Sequence, residues 1–205
     1  TVETRVNKII KIENLNIFYE KNHIIKDQKL TIKPNNYYLI AGKSGAGKST
    51  LINYICGFKK ADFLFEGKKY KNSYINLKNI SYVGQKVTLL DDKINRSLLL
   101  ERKINRNKLK NILNELKLSH LINKLNKKPN FDNNDLSLGE IQRLNIARAF
   151  ISEFDILILD EPLSSVDKKN RELILNFLKK FKGKKTIIMS SHIIGKSNDF
   201  DYILK

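Results

Sequence analysis

Two short stretches carry residue types suited to phosphate chemistry. Gly42-Lys43-Ser44-Gly45-Ala46-Gly47-Lys48-Ser49 fits the spacing G-x-x-x-x-G-K-[ST], and Thr50 follows it. Glycine allows a backbone to wrap closely around phosphates and to take positive φ. The N–H groups of such a loop, with the N-terminus of a following helix, form an anion cradle. Lys48 is then placed to reach β- and γ-phosphates, and the Ser49 hydroxyl to bind Mg²⁺. The second stretch is Asp155-Ile156-Leu157-Ile158-Leu159-Asp160-Glu161-Pro162, an apolar run ending on two carboxylates. Asp160 suits Mg²⁺ or its water, and Glu161 suits the polarising of an attacking water. Alone, each has a plainer reading: a chance Gly-rich turn, and a strand closed by an acidic turn. Together, and in this order, they point to a nucleoside triphosphate.

The elements that must position these residues are legible in outline. Lys8–Phe18 and Ile24–Ile32 read as strands around a turn near Lys21-Asn22, and Pro34-Asn35-Asn36 is a turn signal. Tyr37–Ala41 is a short buried strand that runs into the Gly-rich loop and a helix over Lys48–Cys56, closed by Gly57. Lys59–Asn79 is rich in Lys and aromatic residues, with Gly67 at a hairpin, and Ile80–Val83 is another strand. Ile94–Leu125 has helical periodicity, with Leu109, Ile112, Leu113 and Leu116 on one face, and Lys127–Asp135, with Pro129, is a loop. Leu138–Ile151 is helical. Asp155–Leu159, a helix over Arg171–Phe181 (Leu173, Ile174, Phe177, Leu178, Phe181 apolar), Lys185–Ser190 and Asp201–Leu204 then alternate strand and helix. Such alternation argues for an α/β fold with a mostly parallel sheet, whose sites lie at the carboxyl ends of its strands. The two carboxylates should therefore face the phosphate loop.

Composition excludes several classes. The chain has 205 residues, 41% of them hydrophobic, which suits one domain with a real core rather than a disordered segment. A single cysteine, Cys56, excludes a disulfide scaffold and reads as a small core residue. No apolar run is long enough to span a bilayer. Thr1–Arg5 is polar with no apolar run behind it, so no signal peptide is expected there, and the chain lacks an initiator Met, which suits a piece of a longer one. The net charge of +18 leaves nucleic acid, an anionic membrane surface, a phosphorylated ligand or simply solvated lysines open.

From about Ile12 to about Asp201 the chain resembles the nucleotide-binding domains of ATP-binding cassette (ABC) proteins. The discriminating stretch is Leu136-Ser137-Leu138-Gly139-Glu140-Ile141-Gln142-Arg143, followed by Ile146-Ala147-Arg148-Ala149, which resembles the family signature LSGGQ-x-Q-R and lies just before the acidic pair. The resemblance implies a P-loop NTPase core, an N-terminal antiparallel β subdomain, and an inserted α-helical subdomain over about 86–150, within a single domain spanning 1–205. It implies Gln85 as a Mg²⁺-contacting glutamine and Ser164-Ser165-Val166-Asp167 as the D-loop. It implies His192 as the switch histidine, and Tyr19, with Phe18 as alternative, as the ring stacked on adenine. Taken singly, Gln85 also reads as a solvated loop residue, His192 as a cap of a helix Ile193–Ser197, and Tyr19 as a core aromatic. His23 and His120 match nothing and read as surface residues. Leu138 stands where the family usually has Gly and Glu140 where it has Gln. Leu138 should cost backbone freedom, and Glu140 brings a negative charge beside the bound nucleotide.

The resemblance further implies that Ser137, Leu138, Gly139 and Glu140 meet ATP held by a second, head-to-tail domain, giving an ATP-driven dimer. Its partners would be that second domain, as a homodimer, and the transmembrane domain of a transporter at the cytoplasmic side of the cell membrane. Tyr82-Val83-Gly84-Gln85-Lys86-Val87-Thr88-Leu89-Leu90-Asp91-Asp92-Lys93-Ile94-Asn95-Arg96-Ser97-Leu98 resembles exporter sequences, with peptide as one cargo class. Lys127–Asp135 lacks the acidic, Gly-containing loop of many exporters, and the usual C-terminal extension after His192 is missing. A soluble ABC ATPase acting on nucleic acid or the ribosome is the rival reading, yet the tandem cassettes and long coiled-coil insertions of such proteins are absent, so no specific nucleic acid is expected. A regulatory module that hydrolyses poorly is disfavoured by Glu161 and His192.

Overall fold

A computed structural model of the chain describes residues 2–4, 8–85, 105–124, 136–164, 166–192 and 200–204. Much of the exporter-like stretch after Gln85, the first part of the expected helix from Ile94, the loop Lys127–Asp135, Ser165 and the segment Ile193–Ser197 lie outside these residues.

A five-stranded, wholly parallel sheet forms the centre. Its strands are β4 (Tyr37–Ala41), β8 (Ile80–Val83), β9 (Ile156–Leu159), β10 (Thr186–Ser191) and β11 (Tyr202–Leu204), in the order β11-β4-β10-β9-β8. Every residue of β4, β9 and β10 is buried, as parallel strands covered on both faces must be. Alternate residues therefore feed two separate cores. Tyr37, Leu39, Leu157, Leu159, Ile187 and Met189 face one, and Tyr38, Ile40, Ile156, Ile158 and Ile188 face the other.

The second core is closed by α1 (Lys48–Ile55) and by an antiparallel sheet. That sheet holds β2 (Ile10–Tyr19), β3 (Asn22–Ile32), β5 (Ala61–Phe65) and β6 (Lys68–Ser73), in the order β3-β2-β5-β6. Two-residue turns close both of its hairpins: Glu20-Lys21, and Glu66-Gly67 with φ of 49° and 75°. Gly67 thus stands where the sequence expects it. The short β1 (Val2–Thr4) pairs in parallel with β7 (Ile75–Leu77).

The first core is closed by α2 (Arg106–Glu115), a 3₁₀ turn (Ser119–Lys124), α3 (Leu138–Ile151) and α4 (Lys168–Lys179). Two boundaries depart from the sequence reading. The helix expected to run to Leu125 stops at Leu116: Lys117 turns left-handed (φ 56°), and the N–H groups of Leu118 and Lys117 close on the carbonyls of Leu113 and Asn114. The pattern is a Schellman ending with lysine in the position glycine usually fills. The helix expected over Arg171–Phe181 begins at Lys168, because the Asp167 carboxylate accepts the Asn170 N–H (2.8 Å) and caps it there.

Candidate functional site

Register sets the site. Ser191 pairs with Ala41, Met189 with Leu159, and Val83 with Leu159. The carboxyl ends of four adjacent strands therefore deliver Gly42, His192, Asp160 and Gln85 to one rim.

The Gly42–Ser49 loop links β4 to α1 as the sequence expects. Gly45 and Gly47 take φ of 80° and 85°, and Gly47 is the N-cap of α1. A Cβ on Gly42 would stand 3.2 Å from that of Ala46, so the loop closes tightly only without one. Lys48 is buried, and its Nζ donates to the carbonyls of Gly42 and Lys43, both at 2.9 Å, while pairing with Glu161 Oε1 at 3.2 Å. Lys43, Ser44, Gly45 and Ala46 are exposed or half-buried, and Thr50 is half-buried at the first turn of α1. A groove of about 740 Å³ opens beside the loop, between Gly42, Ala46, Gly47 and Lys48 and the β3 residues Ile24, Ile25 and Lys26.

The acidic pair is held by serines. Asp160 is buried, and its Oδ1 accepts from Ser190 Oγ (2.7 Å) and Ser49 Oγ (3.3 Å). Ser190 Oγ in turn accepts the Glu161 N–H (2.8 Å). Glu161 is left-handed (φ 48°), and Ser164 Oγ donates to its carbonyl (2.9 Å). This turn aims the Glu161 carboxylate back over the strand ends, between Lys48 and His192. His192 Nδ1–H donates to Glu161 Oε2 (2.9 Å), which puts the ring proton on Nδ1, because a carboxylate only accepts. Burial raises the Glu161 pKa, but hydrogen bonds from His192 and Lys48 and their charges outweigh it and hold the carboxyl below its ordinary range. Beneath Asp160, Cys56 and Tyr82 are both pushed up to about 12, by burial first and by the Asp160 charge second.

The other expected residues are less gathered. Gln85 is exposed two residues beyond Val83, whose carbonyl accepts the Asp160 N–H (2.9 Å). Tyr19 sits at the β2–β3 turn, 56% exposed, with Lys59 Nζ 4.4 Å above its ring, and does not line the groove. Phe18 stacks on His23 at 4.3 Å. At the start of α3, Ser137 and Glu140 form a reciprocal capping box. Leu138 occupies the first helical position without a positive φ, so leucine is accommodated there without left-handed strain, and its side chain is 64% exposed.

Residues 25–164 match the profile of the ABC transporter family. The chain belongs to this family. A molybdate/tungstate import ATP-binding protein of Methanocaldococcus jannaschii is 36% identical over 185 residues, covering 85% of this chain and 59% of that protein. The glutathione/L-cysteine transport system ATP-binding/permease protein CydD of Haemophilus influenzae is 31% identical, covering 95% of this chain and 34% of that one. Among solved structures, a bacterial Atm1-family ABC exporter with ATP bound superposes with a TM-score of 0.80 at 22% identity, over all of this chain and 38% of the exporter. That likeness establishes the ABC ATPase fold. The chain thus spans between about a third and three fifths of the length of these curated relatives.

Within this ABC ATPase domain several side chains serve the motifs without belonging to them. Asn170 Nδ2 donates to Asp167 Oδ2 (2.8 Å), and its Oδ1 accepts from Arg143 on α3. A Cβ on Gly139 would meet Asn170 Nδ2 at 2.9 Å, so Gly139 lets the signature helix close on this link. Arg171 Nε donates to the carbonyls of Leu163 and Val166 (3.1 and 2.9 Å), tying that stretch to α4. His120, read from sequence as an unengaged surface residue, is exposed yet pairs with Glu140 at 2.8 Å. The sequence signal for Asn170 is the cap pattern Asp167-x-x-Asn170, and for Ser190 it is a hydroxyl ending an apolar strand; His120 has none.

Proposed function

We propose that the chain is the ATP-hydrolysing motor domain of an ABC transporter. ATP is the substrate. Gly42, Lys43, Ser44, Gly45, Ala46, Gly47 and Thr50 would cradle its phosphates, with Lys48 against the β- and γ-phosphates and Tyr19 against adenine. Ser49 and Asp160, a hydroxyl donating to a carboxylate at 3.3 Å, are a hard oxygen pair fit for Mg²⁺, with Gln85 at the same rim. Mg²⁺ bound there would neutralise charge on the phosphates.

One observation carries the proposal: Glu161 is ionised and shared between Lys48 and His192 at the end of β9. Without nucleotide, Glu161 is the counter-ion of Lys48. When Lys48 turns to phosphate, Glu161 is released to accept a proton from the attacking water, and His192 keeps it oriented. Ser137, Leu138, Gly139 and Glu140 would complete the site of a second such domain, head to tail, with Ser164 and Asp167 at the junction. Both importer and permease-fused relatives fit this motor. The Tyr82–Leu98 resemblance favours export, at the cytoplasmic face of a membrane, with the transmembrane domain of a transporter as partner; no helix among the described residues is long and apolar enough to cross a membrane. A peptide cargo draws no support from these relatives.

The test is Glu161→Gln, assayed over a range of protein concentration. ATPase activity should fall by about 10²–10⁴-fold while nucleotide binding persists, and wild-type specific activity should climb with concentration. Normal turnover in the variant would remove Glu161 from the chemistry, and a flat concentration dependence would remove the head-to-tail site.

A further inference from the structure

The two oxygens of Glu140 have separate occupations. Oε2 accepts from the Ser137 N–H and the Ser137 hydroxyl, both at 2.9 Å. Oε1 lies 2.8 Å from His120 Nε2, on the 3₁₀ turn that packs beside α2. Since a carboxylate only accepts, that nitrogen carries a proton. The Ser137 hydroxyl proton, which the proposed function assigns to the partner domain's ATP, is therefore held by a carboxylate. An anion at this point also repels an arriving triphosphate. The next charges are Arg143, one turn along α3 and turned toward Asn170, and Asp167 beyond it. His120 is the side chain whose N–H is placed against Glu140 itself.

We propose that His120 is a positioning residue for the signature. By donating its N–H to Oε1, it fixes that carboxylate oxygen and lowers the electrostatic opposition that Glu140 presents to the trans nucleotide. Glu140 tunes how tightly the signature takes ATP, and His120 makes that residue tolerable where the family usually has an uncharged one. This rests on the reading that Ser137 and Gly139 meet nucleotide held by a second domain.

The experiment is a double-mutant cycle on ATP hydrolysis by the full chain. His120→Ala should raise KM for ATP about two- to fivefold, the range of one exposed polar pair, with kcat changed less than KM. Glu140→Gln should lower KM and, combined with His120→Ala, return it to the wild-type value or below. His120→Lys, which keeps an N–H donor at this place, should stay near wild type. A KM rise from His120→Ala that is equal with Glu140 intact and in the Glu140→Gln background, or a loss confined to kcat, would overturn the proposal. Thermal melting of each variant separates lost folding from lost affinity, and His120→Lys supplies the answer if His120→Ala melts early. Ser137→Ala distinguishes the two levels. If it is inactive while the His120 cycle is silent, only the role of His120 fails; if it is fully active, the signature reading fails and takes this proposal with it.

Discussion

Cys56 and Tyr82 sit below Asp160, in surroundings that disfavour a second negative charge. Burial and the Asp160 carboxylate keep the thiol neutral well above physiological pH, with a pKa pushed up to about 12. A neutral thiol is a poor nucleophile. Iodoacetamide at pH 8 should therefore modify Cys56 about 10²-fold or more slowly in the native protein than in urea; comparable rates would mean that the pocket beneath Asp160 opens. Glu161 responds in the opposite sense. Its folded pKa is depressed, so its interactions with Lys48 and His192 stabilise the fold above the ordinary carboxylate range and fade as pH falls through the lowered value. Lys48, Ser49, Asp160 and Glu161 were legible as candidates in sequence, because each stands at a fixed offset from a Gly-rich loop or an apolar strand end; His192 was a candidate only through the family resemblance. Ser190 and Asn170 carried only local signals, a hydroxyl at a strand end and a cap pattern, because their bonds to Asp160 and Arg143 join segments far apart in the chain.

Two helix ends show why element boundaries are unevenly legible. α1 and α2 close with the same pair of bonds: Phe58 and Gly57 N–H to the carbonyls of Asn53 and Tyr54, and Leu118 and Lys117 N–H to those of Leu113 and Asn114. At α1 the left-handed residue is Gly57 (φ 74°), and its sequence announces the stop. At α2 it is Lys117, a good helix former, so periodicity reads straight through it. The two sites should respond oppositely to substitution. A Cβ on Gly57 would lie 2.8 Å from the Ile75 carbonyl oxygen, so Gly57→Ala should cost about 1–3 kcal/mol. Lys117→Gly should stabilise by about 0.5–1 kcal/mol, as left-handed strain is relieved against the greater freedom of glycine in the unfolded chain. Denaturant unfolding of both variants checks the pair; destabilisation by Lys117→Gly would show that its side chain contributes more than its backbone costs.

At the scale of the whole molecule, several of the lysines behind the charge of +18 are engaged by neighbouring side chains among the described residues. Lys59, Lys60 and Lys68 lie over the rings of Tyr19, Tyr74 and Tyr70, and Lys180 pairs with Glu115 at 3.1 Å. Ammonium groups placed over aromatic faces are an ordinary surface arrangement. Binding to duplex DNA should therefore be weak, should fall away between about 50 and 200 mM salt, and should be matched by heparin. Tight binding that survives that salt and prefers nucleic acid would revive the ribosome or nucleic-acid reading. The fold class was legible because apolar strands alternate with amphipathic helices; the division of the interior into two cores was not, because Tyr37 and Tyr38 are indistinguishable in sequence and face opposite sides of the sheet.

The left-handed turn at Glu161 also bears on how such a domain changes under selection. A side-chain-bearing residue at φ 48° costs about 1–3 kcal/mol, and asparagine tolerates that region far better than glutamate. With ADP bound, so that Lys48 retains an anionic partner, Glu161→Asn should melt at a higher temperature than the wild type while hydrolysing almost nothing. A search for thermal robustness alone would accordingly discard the turnover first, leaving a sturdier protein that holds its nucleotide and never spends it.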